Sequence, residues 1–86
     1  MRLLIIEDDK LLAGEMKIGL ERHGFTIDGA HTGLDGEEKA YVTDYDAVLL
    51  DLNLPDKDGL DILSYLRGNG RNMPVLIVSA RDISVL

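Results

Sequence analysis

The sequence predicts a single α/β domain built as a doubly wound parallel sheet with helices on both faces. Three observations carry this. Short apolar runs recur at residues 3–6, Thr26–Ala30, 46–52 and Val75–Val78; the segments between them change to a helical period; Gly or Pro stands near the changeovers. With 86 residues and 45% apolar composition, the chain has material for one small core.

Leu3, Leu4, Ile5 and Ile6 do not alternate with polar residues, so they predict a strand buried on both faces. From Lys10 the period changes. Leu12, Met16 and Leu20 step by four with Leu11 and Ile18 beside them, and Gly24 supplies a stop after Arg22 and His23. Thr26–Ala30 is a weaker second strand. Thr32, with Asp35 three residues on, resembles a capping box opening a helix through about Val42, against which Gly33 and Gly36 weigh. The third strand centres on Ala47, Val48, Leu49 and Leu50. Pro55 and Gly59 punctuate a loop; Leu60, Ile62, Leu63 and Leu66 mark the third helix, which Gly68 and Gly70 close. Pro74 precedes the fourth strand, and Asp82 is placed to cap the start of a fourth helix. The order is β-α-β-α-β-α-β, whose right-handed crossovers set helices on both sides of the sheet.

Composition removes several function classes. The net charge of −7, from 16 acidic and 9 basic residues without a Lys/Arg cluster, opposes direct nucleic-acid binding by this segment. Cysteine is absent, which excludes disulfides and thiolate metal sites. The apolar runs are far shorter than the roughly 20 residues a membrane span needs, and no signal-peptide pattern is present, so no membrane partner and a cytoplasmic location are expected.

In open α/β sheets the functional crevice lies beyond the carboxyl ends of the strands, where strand order reverses. That rule selects Glu7, Asp8 and Asp9 after the first strand, Asp51 at the end of the third and Ser79 at the end of the fourth. Two carboxylates about 4 Å apart repel by roughly 4 kcal/mol at an effective dielectric of 20, so converging acids need a proton, a cation or a metal. An all-oxygen donor set with room for water suits Mg²⁺. Magnesium on carboxylates commonly serves phosphate oxygens, and a carboxylate can itself accept a phosphoryl group. Taken singly, each Asp could be a turn former or helix cap, and one of Asp8 and Asp9 could cap the helix that follows. His23 and His31 have no second ligand at metal spacing.

Three separated motifs carry a resemblance. Ile5-Ile6-Glu7-Asp8-Asp9, then residues 48–59 (Val-Leu-Leu-Asp-Leu-Asn-Leu-Pro-Asp-Lys-Asp-Gly), then residues 74–82 (Pro-Val-Leu-Ile-Val-Ser-Ala-Arg-Asp) resemble response-regulator receiver domains of two-component systems. The wording is closest to the winged-helix, OmpR/PhoB-type subfamily. The resemblance implies a flavodoxin-like fold and a regulatory phosphoacceptor, not an enzyme in the metabolic sense. It implies that Asp51 takes a phosphoryl group from a sensor histidine kinase. Asp8 and Asp9 resemble the acidic pair that holds Mg²⁺ with Asp51, Asp9 the more direct ligand and Asp8 acting largely through water. Asn53 would offer its backbone carbonyl to the metal and, with Arg81, occupy rate-tuning positions. Ser79 would hydrogen-bond the phosphoryl group, Ala80 would leave room beside it, and Pro55 and Gly59 would shape the loop.

Receivers also have a fifth strand carrying a Lys, a switching aromatic and a final helix, whereas this sequence stops at Leu86. The expectation is therefore the N-terminal portion of a receiver over residues 1–86, with four strands, three helices and the start of a fourth. The effector domain that would control transcription is expected to be absent. An exposed Val75–Val78 edge would then favour self-association or segment exchange between copies. The main alternative is a phosphorylation-independent interaction module of pseudo-receiver type. A haloacid-dehalogenase-type phosphatase fits less well, since Asn53 stands where that family has a second Asp. A flavodoxin-like cofactor binder would need a Gly- and hydroxyl-rich loop after Ile6, where acids stand.

Overall fold

The computed structural model describes residues 1–78 and the backbone of the strand at 83–85. In chain order it contains β1 (Arg2–Ile6), α1 (Lys10–Glu21), β2 (Thr26–Ala30), α2 (Gly33–Val42), β3 (Ala47–Asp51), α3 (Gly59–Gly68), β4 (Val75–Val78) and β5 (Ile83–Val85). The sheet order is β2-β1-β3-β4-β5, with the first four strands parallel.

Alternation along the strands builds two cores. Leu4, Ile6, Val48, Leu50, Val75 and Ile77 point to one face and pack with Ala40 of α2 and Ile62 and Leu66 of α3. Leu3, Ile5 and Ile27 point to the other, where Met16 and Leu20 of α1 join them. β1 is buried on both faces, as its unbroken apolar run requires. Burying each such Leu or Ile contributes about 1.5–3 kcal/mol, which makes the central strands the most stabilising part of the chain.

The helices begin where polar side chains meet their free amides. Asp9 Oδ1 accepts from Leu12 N at 3.1 Å for α1, Thr32 Oγ1 from Asp35 N at 3.1 Å for α2, and Asp58 Oδ1 from Leu60 N at 2.9 Å for α3. After α1 and α3 the chain passes through Gly24 and Gly70 at φ 88° and 75°, a region that costs glycine little.

The C-terminal end corrects two expectations. Val75–Val78 is not an open edge, because β5 pairs antiparallel with it, Leu76 opposite Val85 and Val78 opposite Ile83. Ile83–Val85 is thus a strand where a fourth helix was expected to start after Asp82. The physical reason is the row of backbone donors and acceptors that an unpaired β4 would leave, which a short return strand rich in β-branched residues satisfies. Self-association through a free β4 edge loses its structural basis.

Helix α2 lies so close to β1 that a Cβ on Gly36 would fall 2.6–2.7 Å from three atoms of the fully buried Ile6. Gly14, inside α1, has nothing within 4 Å of the equivalent position. Gly36→Ala should therefore cost about 1–3 kcal/mol by overpacking, whereas Gly14→Ala should gain about 0.5–1 kcal/mol from helix propensity. Urea denaturation of the two variants checks the contrast, and equal midpoints would contradict it.

Candidate functional site

The chain runs from β1 to β2 on one side and returns to β3 on the other, so the strand order reverses between β1 and β3. Ile6 is in register with Leu50 and with Ala30. The next residues along β1 and β3, Glu7 and Asp51, therefore emerge at one level, and Glu7 N still donates to Ala30 O at 2.9 Å. A cleft of about 320 Å³ opens there, lined by Glu7, Asp8, Asp9, Asp51, Asn53 and Val78.

Within it, one carboxylate oxygen each from Glu7, Asp8 and Asp51 lie within 4.8 Å of one another. At that separation each pair of charges repels by roughly 3–4 kcal/mol at an effective dielectric of 20. No Lys or Arg lines the cleft among the described residues. Lys57 is engaged by Glu37 and Lys39 by Asp35, while Lys10 and Lys17 line a separate cleft of about 330 Å³ between α1 and β2. That second cleft holds no carboxylate cluster, and the convergence of acids marks the first one as the chemical site.

Glu7 is the most buried of the three, only 7% exposed. Burial, then a hydrogen bond shared with Asp51 and the Asp51 charge, push its carboxyl up to about 7. Asp8 is exposed and Asp51 half-buried. The Asp51 carboxylate is oriented from its own loop, with Asn53 N donating to Oδ1 at 3.0 Å. The all-oxygen donor set and the cleft's volume fit a hard divalent cation that keeps part of its water.

The acids that converge differ from the expected set at one position. The Asp9 carboxylate is not in the cluster; its Oδ1 caps α1, and the residue holds the extended backbone of a helix N-cap. Glu7 takes its place. The signal was in the sequence, since Glu7 is the first residue beyond the buried run and directly follows Ile6, but adjacent acids hide which of them continues the strand direction. Asn53 lines the cleft as expected. Gly59 packs where a Cβ would lie 3.0 Å from Asp51 O and from Leu52 Cα, and exposed Pro55 stands in the loop between. Ser79, Ala80 and Arg81 lie outside the described residues. His31 touches the site only through the Glu7 carbonyl oxygen, 3.1 Å from Nδ1. Asp56 and Lys57, part of the second motif but given no role at the site by the sequence, tie the same loop to α2.

A raised carboxyl binds its proton more tightly folded than unfolded. Glu7 therefore contributes stability that is full below about 4.5 and is lost as pH rises through about 7. Thermal midpoints of chelator-treated protein should fall across that window relative to Glu7→Gln, which cannot ionise. Parallel profiles for the two proteins would contradict this reading.

The response regulator receiver domain family matches residues 3–85. Among relatives, the transcriptional regulatory protein QseB of Escherichia coli O157:H7 is 50% identical over 82 residues, covering 95% of this chain and 37% of QseB. CusR of Escherichia coli K12 is 42% identical over 80 residues, covering 93% and 35% respectively. The chain thus spans just over a third of the length of these relatives. The receiver domain of Francisella response regulator 1452 superposes with a TM-score of 0.88 at 32% identity, covering 94% of this chain and 67% of that one. The receiver domain of a sensor histidine kinase from Pseudomonas aeruginosa PAO1, described with a magnesium ion coordinated in its active site cleft, gives 0.86 at 27% identity, covering 93% and 67%. With its strand order, its acidic cleft at the switch point and a family match over nearly its whole length, this chain belongs to the response regulator receiver domains of two-component systems.

Proposed function

We propose that Asp51 is the phosphoacceptor of this receiver and that Glu7, Asp8 and Asp51 hold a Mg²⁺ ion beside it. The convergence of these three carboxylates within 4.8 Å carries the reading. The magnesium ion in the Pseudomonas receiver's active site cleft supports it. Bound there, the ion would supply positive charge to phosphate oxygens.

The chain's own residues account for the rest. An Asp51 oxygen attacks the phosphorus of a phosphohistidine on a sensor histidine kinase; the new O–P bond forms as the P–N bond breaks, and the imidazole leaves with the bonding pair and takes up a proton. The Asn53 N–H already holds Oδ1, which limits how the carboxylate can turn and favours Oδ2 as the attacking atom. Glu7, whose carboxyl is pushed up to about 7, would have to give up its proton to help hold the cation. Asp9 serves as the α1 cap. Ser79 is the candidate for hydrogen-bonding the transferred group and Ala80 for leaving it room, with Asn53 and Arg81 tuning its hydrolysis. The complete protein would use this domain to control transcription, as its relatives' names suggest, and would do so in the cytoplasm.

Incubation with Mg²⁺ and a small phosphoramidate should add one phosphate mass to the chain. That mass should be absent with a chelator and absent in Asp51→Asn. No incorporation would favour the phosphorylation-independent interaction module instead, and incorporation that survives Asp51→Asn would put the acceptor at another residue.

A further inference from the structure

The loop at residues 52–58 leaves Asp51 and is anchored to a helix remote from it in sequence. Both oxygens of Asp56 are engaged by the start of α2, Gly33 N donating to Oδ1 at 2.7 Å and Leu34 N to Oδ2 at 3.0 Å. These amides are among the donors that a helix start leaves unpaired, and the Gly33 bond, then the Leu34 bond, hold the Asp56 carboxyl below the usual carboxylate range. The next residue repeats the attachment one turn along, where Lys57 Nζ donates to Glu37 Oε2 at 2.6 Å and Glu37 is only 8% exposed. Gly33 leaves no slack at this junction. A Cβ there would lie 2.9 Å from Lys57 Cβ and 3.2 Å from Asp56 Oδ1.

At its other end the same loop presents the amide that holds the phosphoacceptor, Asn53 N to Asp51 Oδ1 at 3.0 Å. Leu54, between the two attachments in sequence, is buried in the core and leaves that stretch of loop little room to move. We infer that Asp56 is a positioning residue for Asp51: by fastening the β3–α3 loop to the first turn of α2, it fixes the Asn53 amide that orients the acceptor carboxylate. The inference rests on the reading of Asp51 and its metal given above, but the hydrogen bonds at the two ends of the loop exist independently of it.

Four proteins test this: the unaltered chain, Asp56→Ala, Asp56→Asn and Thr32→Ala. Thr32→Ala also removes an acceptor from the α2 start, but leaves the loop attached, so it controls for helix stability alone. Asp56→Ala should weaken Mg²⁺ binding, followed by calorimetry, by up to about tenfold, the lower end of the effect of losing a group that directly orients a metal ligand. It should also lower amide-exchange protection at Asn53 by about three- to tenfold, as expected for a hydrogen bond loosened. Asp56→Asn, which keeps one acceptor oxygen, should fall between Asp56→Ala and the unaltered chain. Thr32→Ala should lower the thermal midpoint without either change. Equal effects of Thr32→Ala and Asp56→Ala, equal effects of the two Asp56 variants, or no effect of either would overturn the inference. If the unaltered chain binds no Mg²⁺, the metal reading fails, and Asn53 exchange alone decides whether Asp56 positions the loop.

Discussion

Mutual repulsion among three carboxylates at one end of the sheet is the constraint from which the rest of this structure can be understood. Folding gains its free energy from burying β1 and β3 side by side, and their register brings Glu7 and Asp51 out together. The cores that stabilise the domain therefore assemble an electrostatic cost at their edge, with no cationic side chain in the cleft among the described residues. Without a metal, burial and the neighbouring Asp51 push the Glu7 carboxyl up to about 7, and the proton it keeps relieves part of that cost. A divalent cation held there would take over that role and displace the proton.

Holding charges in that state requires a stiff frame, and the contacts supply one. Asp51 sits between a paired strand and a loop fastened by Leu54 in the core, Asp56 on the α2 amides and Lys57 on Glu37. The Lys57–Glu37 pair is half-sheltered, so its chief value is in setting geometry, since partly desolvated ion pairs add little net stability. Helix α2 thus reaches the site from the far side of the loop, and its closeness to β1 through Gly36 keeps the whole arrangement in register.

Much of this was legible in the sequence, for reasons that can be traced. The unbroken Leu3–Leu4–Ile5–Ile6 run fits a strand covered on both faces, and the step of Leu12, Met16 and Leu20 fits a helix, of which Met16 and Leu20 reach the core while Leu12 stays 40% exposed beside the acidic cleft. Thr32 and Asp35 stand at the distance a cap demands, and the α2 start followed despite two glycines. Asp51 could be placed because it ends an apolar run at the switch point. Local pattern did not separate Glu7 from Asp9, because the choice depends on whether a side chain follows the strand or turns back to cap α1. It gave β5 as a helix start, because Asp82 fits a cap and the pairing that favours a strand is supplied by β4. The Asp56 attachment joins residues 22 and 23 positions apart and leaves no periodic trace.

The central claim is that Glu7, Asp8 and Asp51 form the metal site while Asp9 belongs to the helix. Calorimetric Mg²⁺ titration of Glu7→Gln beside Asp9→Asn tests it most directly. The expected result is loss of most Mg²⁺ affinity in Glu7→Gln, with affinity retained in Asp9→Asn, which keeps a capping oxygen. Full affinity in Glu7→Gln together with its loss in Asp9→Asn would contradict the claim.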